Sequence, residues 1–163
     1  MHNKDVEYSL SSVNSDLAAA TNVVTSLGLT SNLTPYINKY SIIKACGAIE
    51  VSYKAILTDY LVRRAKSQIK NYIHKSIRDS SSNPSYDNIC KTLKSFDENW
   101  SVKFKRDIKA VTNHTQMIDS LDSLVDARNS FSHGGDPTTT VQEIQRYFCD
   151  SIRIIEVLDN IIK

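Results

Sequence analysis

The chain has 163 residues, of which 40% are hydrophobic and 23% charged, with only four Gly and three Pro. That is the size of one ordinary domain with a real core, and scarce breakers favour long regular elements. No apolar run could span a bilayer, residues 1–7 do not open like a secretory signal, and Cys46, Cys90 and Cys149 are too few and scattered for a disulfide framework or a zinc set.

The cysteines therefore read as reduced core thiols of a cytoplasmic protein. The first helix is marked by Val6, Leu10, Val13, Leu17, Ala20, Val24 and Leu27, which alternate steps of four and three until Gly28. Leu29 to Thr34 read as a loop, with Thr34-Pro35 as the next helix start. The second helix carries Ile42/Ile43, Cys46, Ile49, Tyr53, Ile56/Leu57 and Tyr60/Leu61. It is expected to run on through a basic stretch to about Asp79, with a thinner stripe at Ile69, Tyr72/Ile73 and Ile77. Glu50 stands four after Cys46 and three before Tyr53, so it faces inward. The run from Ser80 to Ser85, which contains Asn83-Pro84, is the clearest break and reads as a loop within one domain.

A third helix is predicted from about Tyr86 to Asn99, with Ile89/Cys90, Leu93, Phe96 and Trp100 on one side. Residues 101–112 admit an anchored loop or a short helix. Another helix starts near Asn113 and carries Met117/Ile118, Leu121 and Leu124/Val125. The last opens with the capping box Thr140–Glu143 and continues through Ile144, Phe148, Ile152, Ile155, Leu158 and Ile162. No stretch alternates with period two for long enough to form a strand. The expectation is an all-α bundle of four to five main helices, the second long, without a sheet, forming one domain over residues 1–163.

Charge is uneven along this frame. Residues 38–110 hold fifteen Lys/Arg against seven acids, whereas residues 111–163 hold four against eight. The densest part is Arg63, Arg64, Lys66, Lys70, Lys75 and Arg78, with His74 among them. Such a run is either a solvated helix face or a footprint for a polyanion such as RNA.

The segment Ala127-Arg128-Asn129-Ser130-Phe131-Ser132-His133-Gly134-Gly135 is the most informative. Arg128 continues the apolar stripe, four after Leu124 and three after Val125. A permanent cation there either reaches from the core edge into a cleft or meets an acid, and Glu50 is the best inward acid on another helix. Asn129 and His133, four apart, share a neighbouring face. The Gly pair then stops the helix. An arginine to grip phosphoryl oxygens, a histidine to move protons and an amide to orient either one suit chemistry on a phosphodiester.

Arg-Asn-x-x-x-His followed by Gly, late in a small helical domain, resembles the signature of the HEPN superfamily of helical ribonuclease domains. More narrowly, the chain is similar to the bacterial subgroup named after its association with RiboL and PSP domains. The stretch Ala45 to Glu50 in an early long helix, the aromatic segment Phe96 to Phe104 and the closing helix carry the resemblance further. It implies a homodimer whose motif helices meet, so that a composite cleft at the twofold axis holds Arg128, Asn129 and His133. The implied reaction is metal-independent RNA cleavage by the ribose 2′-hydroxyl, leaving a 2′,3′-cyclic phosphate. The implied setting is a toxin, stress or anti-phage effector with an antitoxin or other regulatory protein as a further partner. Glu50 would support Arg128 or tune His133, and Arg63, Arg64, Lys66 and Lys70 would bind RNA. Gly135 occupies a position where some relatives carry a tyrosine that a partner enzyme modifies, so that regulation is not expected here. The alternative within the same fold is a non-catalytic module binding RNA, a nucleotide or a protein. No Gly-rich phosphate loop, His-Glu-x-x-His or Cys-x-x-Cys occurs, so no cofactor or metal is expected.

Overall fold

The computed structural model describes residues 1–28 and 30–162; Leu29, where the first loop was expected to begin, lies outside them. Seven α-helices and one π-helical turn account for the regular structure, with no strand among the described residues. They are α1 (Lys4–Leu27), α2 (Thr34–Val62), α3 (Ser67–Ile73), the π-turn (His74–Arg78), α4 (Tyr86–Phe96), α5 (Glu98–Lys109), α6 (His114–Ser132) and α7 (Val141–Ile161). No helix is long and apolar enough to cross a membrane among the described residues.

Helix α2 is the centre of the bundle, packed against α1, α6 and α7. All seven residues from Ser52 to Thr58 are buried, so this part is enclosed on every side. Around it the core is built from Leu10 and Leu17 of α1, Leu121 and Leu124 of α6, and Phe148, Ile155 and Leu158 of α7. Helix α1 is capped by the Asn3 side chain, which accepts the Val6 N–H, and ends at Gly28 with φ +85°. Its last stripe residue, Leu27, is exposed. A strict seven-residue repeat drifts by about 20° per heptad on a straight helix, so a three-heptad stripe rotates off the interface at its end.

The second helix is shorter than expected. It stops at Val62 instead of running to Asp79, and the Arg63 and Ala65 amides tighten the end by bonding to Tyr60 and Val62 carbonyls. Lys66 is extended (φ −67°, ψ 156°), and α3 then folds back against α2. The reason lies in Ile73 and Ile77, both buried. A straight helix would carry them beyond the bundle, at about 1.5–3 kcal/mol for each apolar side chain left in water.

The third helix also differs. Asp97 is extended (φ −154°, ψ 118°), ending α4 and capping α5 by accepting the Asn99 N–H. An Asp at a helix N-terminus stabilises it by about 1 kcal/mol. The break separates two apolar faces: Leu93 belongs to one, Phe104 and Ile108 to the other, all buried. Residues 101–112 are thus mostly helical, and Trp100 packs edge-on to Tyr60 at 5.4 Å. The capping box of α7 forms as expected between Thr140 and Glu143. Cys46 and Cys90 are buried free thiols, but Cys149 is exposed, which corrects its expected core position. It is one residue past Phe148, about 100° off the buried stripe of α7.

Candidate functional site

The end of α6 is closed by both glycines. The Gly135 N–H reaches back to Ser130 O at 2.8 Å and the Gly134 N–H to Phe131 O at 3.1 Å, with Gly134 at φ +82°. This paired arrangement satisfies carbonyls that the helix end would leave free. A Cβ on Gly135 would meet Ser130 Oγ and stand 2.9 Å from Ser130 O. Position 135 is therefore held as glycine by its close approach to the preceding turn. Beyond it, Lys39 of α2 pairs with Asp136 at 2.8 Å and lies over the Phe131 ring at 5.7 Å.

Arg128 follows the buried Leu124, Val125 and Ala127 on this helix. Its guanidinium meets an acid and stays partly exposed. Nη2 donates to Glu50 Oε2 at 3.2 Å, Nη1 donates to Asn129 Oδ1 at 3.2 Å, and the side chain keeps 26% exposure. Glu50, 15% exposed, takes a second cation as well: Lys54 Nζ donates to its Oε1 at 2.5 Å. Lys54 is only 4% exposed and also donates to the Ser80 carbonyl. The Ser82 N–H points to the same Glu50 oxygen at 3.4 Å, and Tyr53 donates its hydroxyl to Ser82 Oγ at 2.9 Å.

Two cations thus share one carboxylate. Glu50 cannot neutralise both, so a net positive charge remains, and Arg128 is its exposed member. Burial pushes the Cys46 thiol up to about 11, with Arg128 pulling down and Glu50 pushing up. Cys46 is therefore a neutral thiol at physiological pH. Burial likewise raises the Tyr53 phenol; its bond to Ser82 lowers it and Glu50 raises it.

His133 caps α6 and is exposed, while Asn129 is half-buried. Arg128 and His133 are five residues apart, which is about 140° around an α-helix and about 7.5 Å along it. Within one protomer the structure brings Arg128, Asn129 and Glu50 together; among the described residues the His133 imidazole makes no hydrogen bond to them. Arg63 and Arg64 are exposed, 13 and 14 residues after Glu50, about 20 Å along the α2 axis. Lys66 precedes α3 and Lys70 lies within it, as that helix leads back toward Ser80 and Ser82. Lys54, Ser80 and Ser82 were not singled out from the sequence. Glu50 and Lys54 do stand at i and i+4, the spacing of a helical ion pair, and that signal was available.

The class of protein is an all-helical domain that presents Arg-Asn-x-x-x-His at a glycine-stopped helix end, its arginine anchored on the central helix. The RiboL-PSP-HEPN family model matches residues 7–163, so the chain belongs to that family. No curated protein and no solved structure matches the chain.

Proposed function

We propose that the chain is a metal-independent endoribonuclease acting as a homodimer. The observation that carries this reading is the shared carboxylate: Glu50 is divided between Lys54 and Arg128, so the pair of cations exceeds the one acid and the partly exposed Arg128 has charge left for an anionic ligand. A guanidinium so fixed grips phosphoryl oxygens and stabilises the charge that grows on them in the phosphorane. The ribose 2′-hydroxyl attacks the adjacent phosphorus, the bond to the 5′-oxygen breaks, and a 2′,3′-cyclic phosphate forms. His133 takes the hydroxyl proton or supplies one to the leaving oxygen, and Asn129 orients Arg128 through the bond between them.

At a twofold axis the Arg128, Asn129 and His133 sets of two protomers line one cleft. The surface beside the motif fits a second copy: Tyr36, Tyr40 and Ile43 of α2 are exposed and line an apolar groove of about 400 Å³ with Phe131 of α6. Pairing there brings two motif helices side by side. In this reading RNA is the substrate, the compartment is the cytoplasm, and the role is that of a toxin, stress or anti-phage effector held in check by an antitoxin or similar regulator.

The test is incubation of generic RNA with the purified chain in EDTA, beside R128A and H133A. Cleavage by the unaltered chain alone, with cyclic phosphate ends, is the expected result. Equal cutting by both variants contradicts the site. A second reading, a non-catalytic RNA-binding module, draws on the roughly 20 Å between Glu50 and the Arg63–Arg64 turn. It predicts salt-sensitive binding lost with those arginines and no cutting by any form.

A further inference from the structure

Beside the Glu50 network, α2, the π-turn, the Ser80–Ser82 loop and α4 enclose a groove of about 600 Å³, well within the range of small-ligand clefts. Its lining is unusual in this molecule. Hydroxyl groups come from Tyr53, Ser76, Ser82 and Ser95, and no charged side chain lines it among the described residues. Two aromatic rings stand at it with much of their surface open: Tyr72 is 71% exposed and Phe96 42%. Free ring faces and neutral hydroxyls, with no cation in the lining, suit a flat, uncharged heterocycle that stacks and hydrogen-bonds.

Two positional facts extend this. Ser82, on the groove wall, sends its N–H to the same carboxylate that holds Arg128. Tyr72 sits on α3 three residues before the exposed Lys75 of the π-turn, the spacing that places two side chains on one helix face. An occupant of the groove therefore lies one carboxylate away from the Arg128 guanidinium and beside the helix face that carries Lys75.

We infer that this groove is a base subsite: it takes an unpaired nucleobase of single-stranded RNA, stacked on Tyr72 and Phe96, from a strand running between Arg128 and Lys75. The inference rests on RNA being the substrate. Stacking of this kind is sequence-tolerant and is blocked in a duplex, where the bases already stack on each other.

The test uses the full chain and a fluorescein-labelled, single-stranded 2′-O-methyl RNA, which has no free 2′-hydroxyl and is not cut. Binding is read by anisotropy, and folding of each variant by its thermal midpoint. Y72A and F96A are each expected to weaken binding roughly tenfold. S76W, which fills the groove, does the same, while Y72W keeps affinity and shows quenched tryptophan emission on binding. An oligonucleotide made abasic throughout binds the unaltered chain as weakly as the intact strand binds Y72A. Unchanged affinity in Y72A, F96A and S76W overturns the subsite, as does equal binding of intact and abasic strands. Failure of the ribonuclease reading looks different: unmodified RNA stays intact while the Tyr72 dependence of binding persists.

Discussion

Lys54 and Arg128 grip opposite oxygens of one carboxylate, Glu50, at 2.5 and 3.2 Å. The ammonium is buried on the central helix and the guanidinium is partly exposed. The two cations are therefore unequal in what they contribute to folding and in what they offer a ligand.

This inequality predicts an asymmetry in stability. E50A strands the buried Lys54 and is expected to cost about 3–5 kcal/mol, the range for breaking a buried pair. R128A leaves Glu50 on Lys54 and should cost about 1 kcal/mol, as for a partly exposed pair. Urea unfolding of the two variants measures this; a larger loss for R128A would contradict the hierarchy.

A pH-dependent stability is expected at Asp122 on α6, whose carboxylate accepts the Tyr86 N–H at 3.2 Å. Burial raises its pKa above the ordinary 3.8; the Tyr86 bond opposes this, while Asp126, Asp87 and Asp119 add to it. A carboxyl raised in the fold disfavours folding when ionised. That penalty is absent below pH 3.8, grows as pH rises through the raised value, and is complete at neutrality. D122N keeps an acceptor for Tyr86 and should raise the thermal midpoint at pH 7, with the gain vanishing near pH 3.5.

The glycine stop makes a third prediction. G134A forces a Cβ onto a backbone at φ +82° and should cost about 1–2 kcal/mol. G135A, blocked by Ser130 O at 2.9 Å, must open the last turn of α6 and displace His133. Thermal unfolding should register both, and G135A should lower RNA cleavage beyond its effect on stability.

The motif itself was legible in the sequence because its parts are local: stripe, arginine, amide, histidine and glycines all belong to one helix and its stop. Glu50 was legible because an acid in an apolar stripe is anomalous. The reversal after Val62 was not, since Arg63 to Lys66 contains no Gly or Pro, and only the burial of Ile73 and Ile77 dictates it. Lys54 escaped notice for a related reason. Where α2 is enclosed on all sides, no polar face exists to make a buried lysine stand out.

Dimer formation is expected through the apolar surface of Tyr36, Tyr40, Ile43 and Phe131. I43D should give a monomer by light scattering with an unchanged helical spectrum and should abolish cleavage. Activity in a monomer would place both catalytic groups within one protomer.

In the proposed reaction Arg128 and His133 act together on a ribose linkage. The most direct measurement of this is cleavage, in EDTA, of a DNA oligonucleotide carrying one ribonucleotide at a site mapped on RNA. The expected result is a single cut on the 3′ side of that ribose, leaving a cyclic phosphate, with none by R128A or H133A. Cutting of the all-deoxy strand, or equal cutting by either variant, would contradict it.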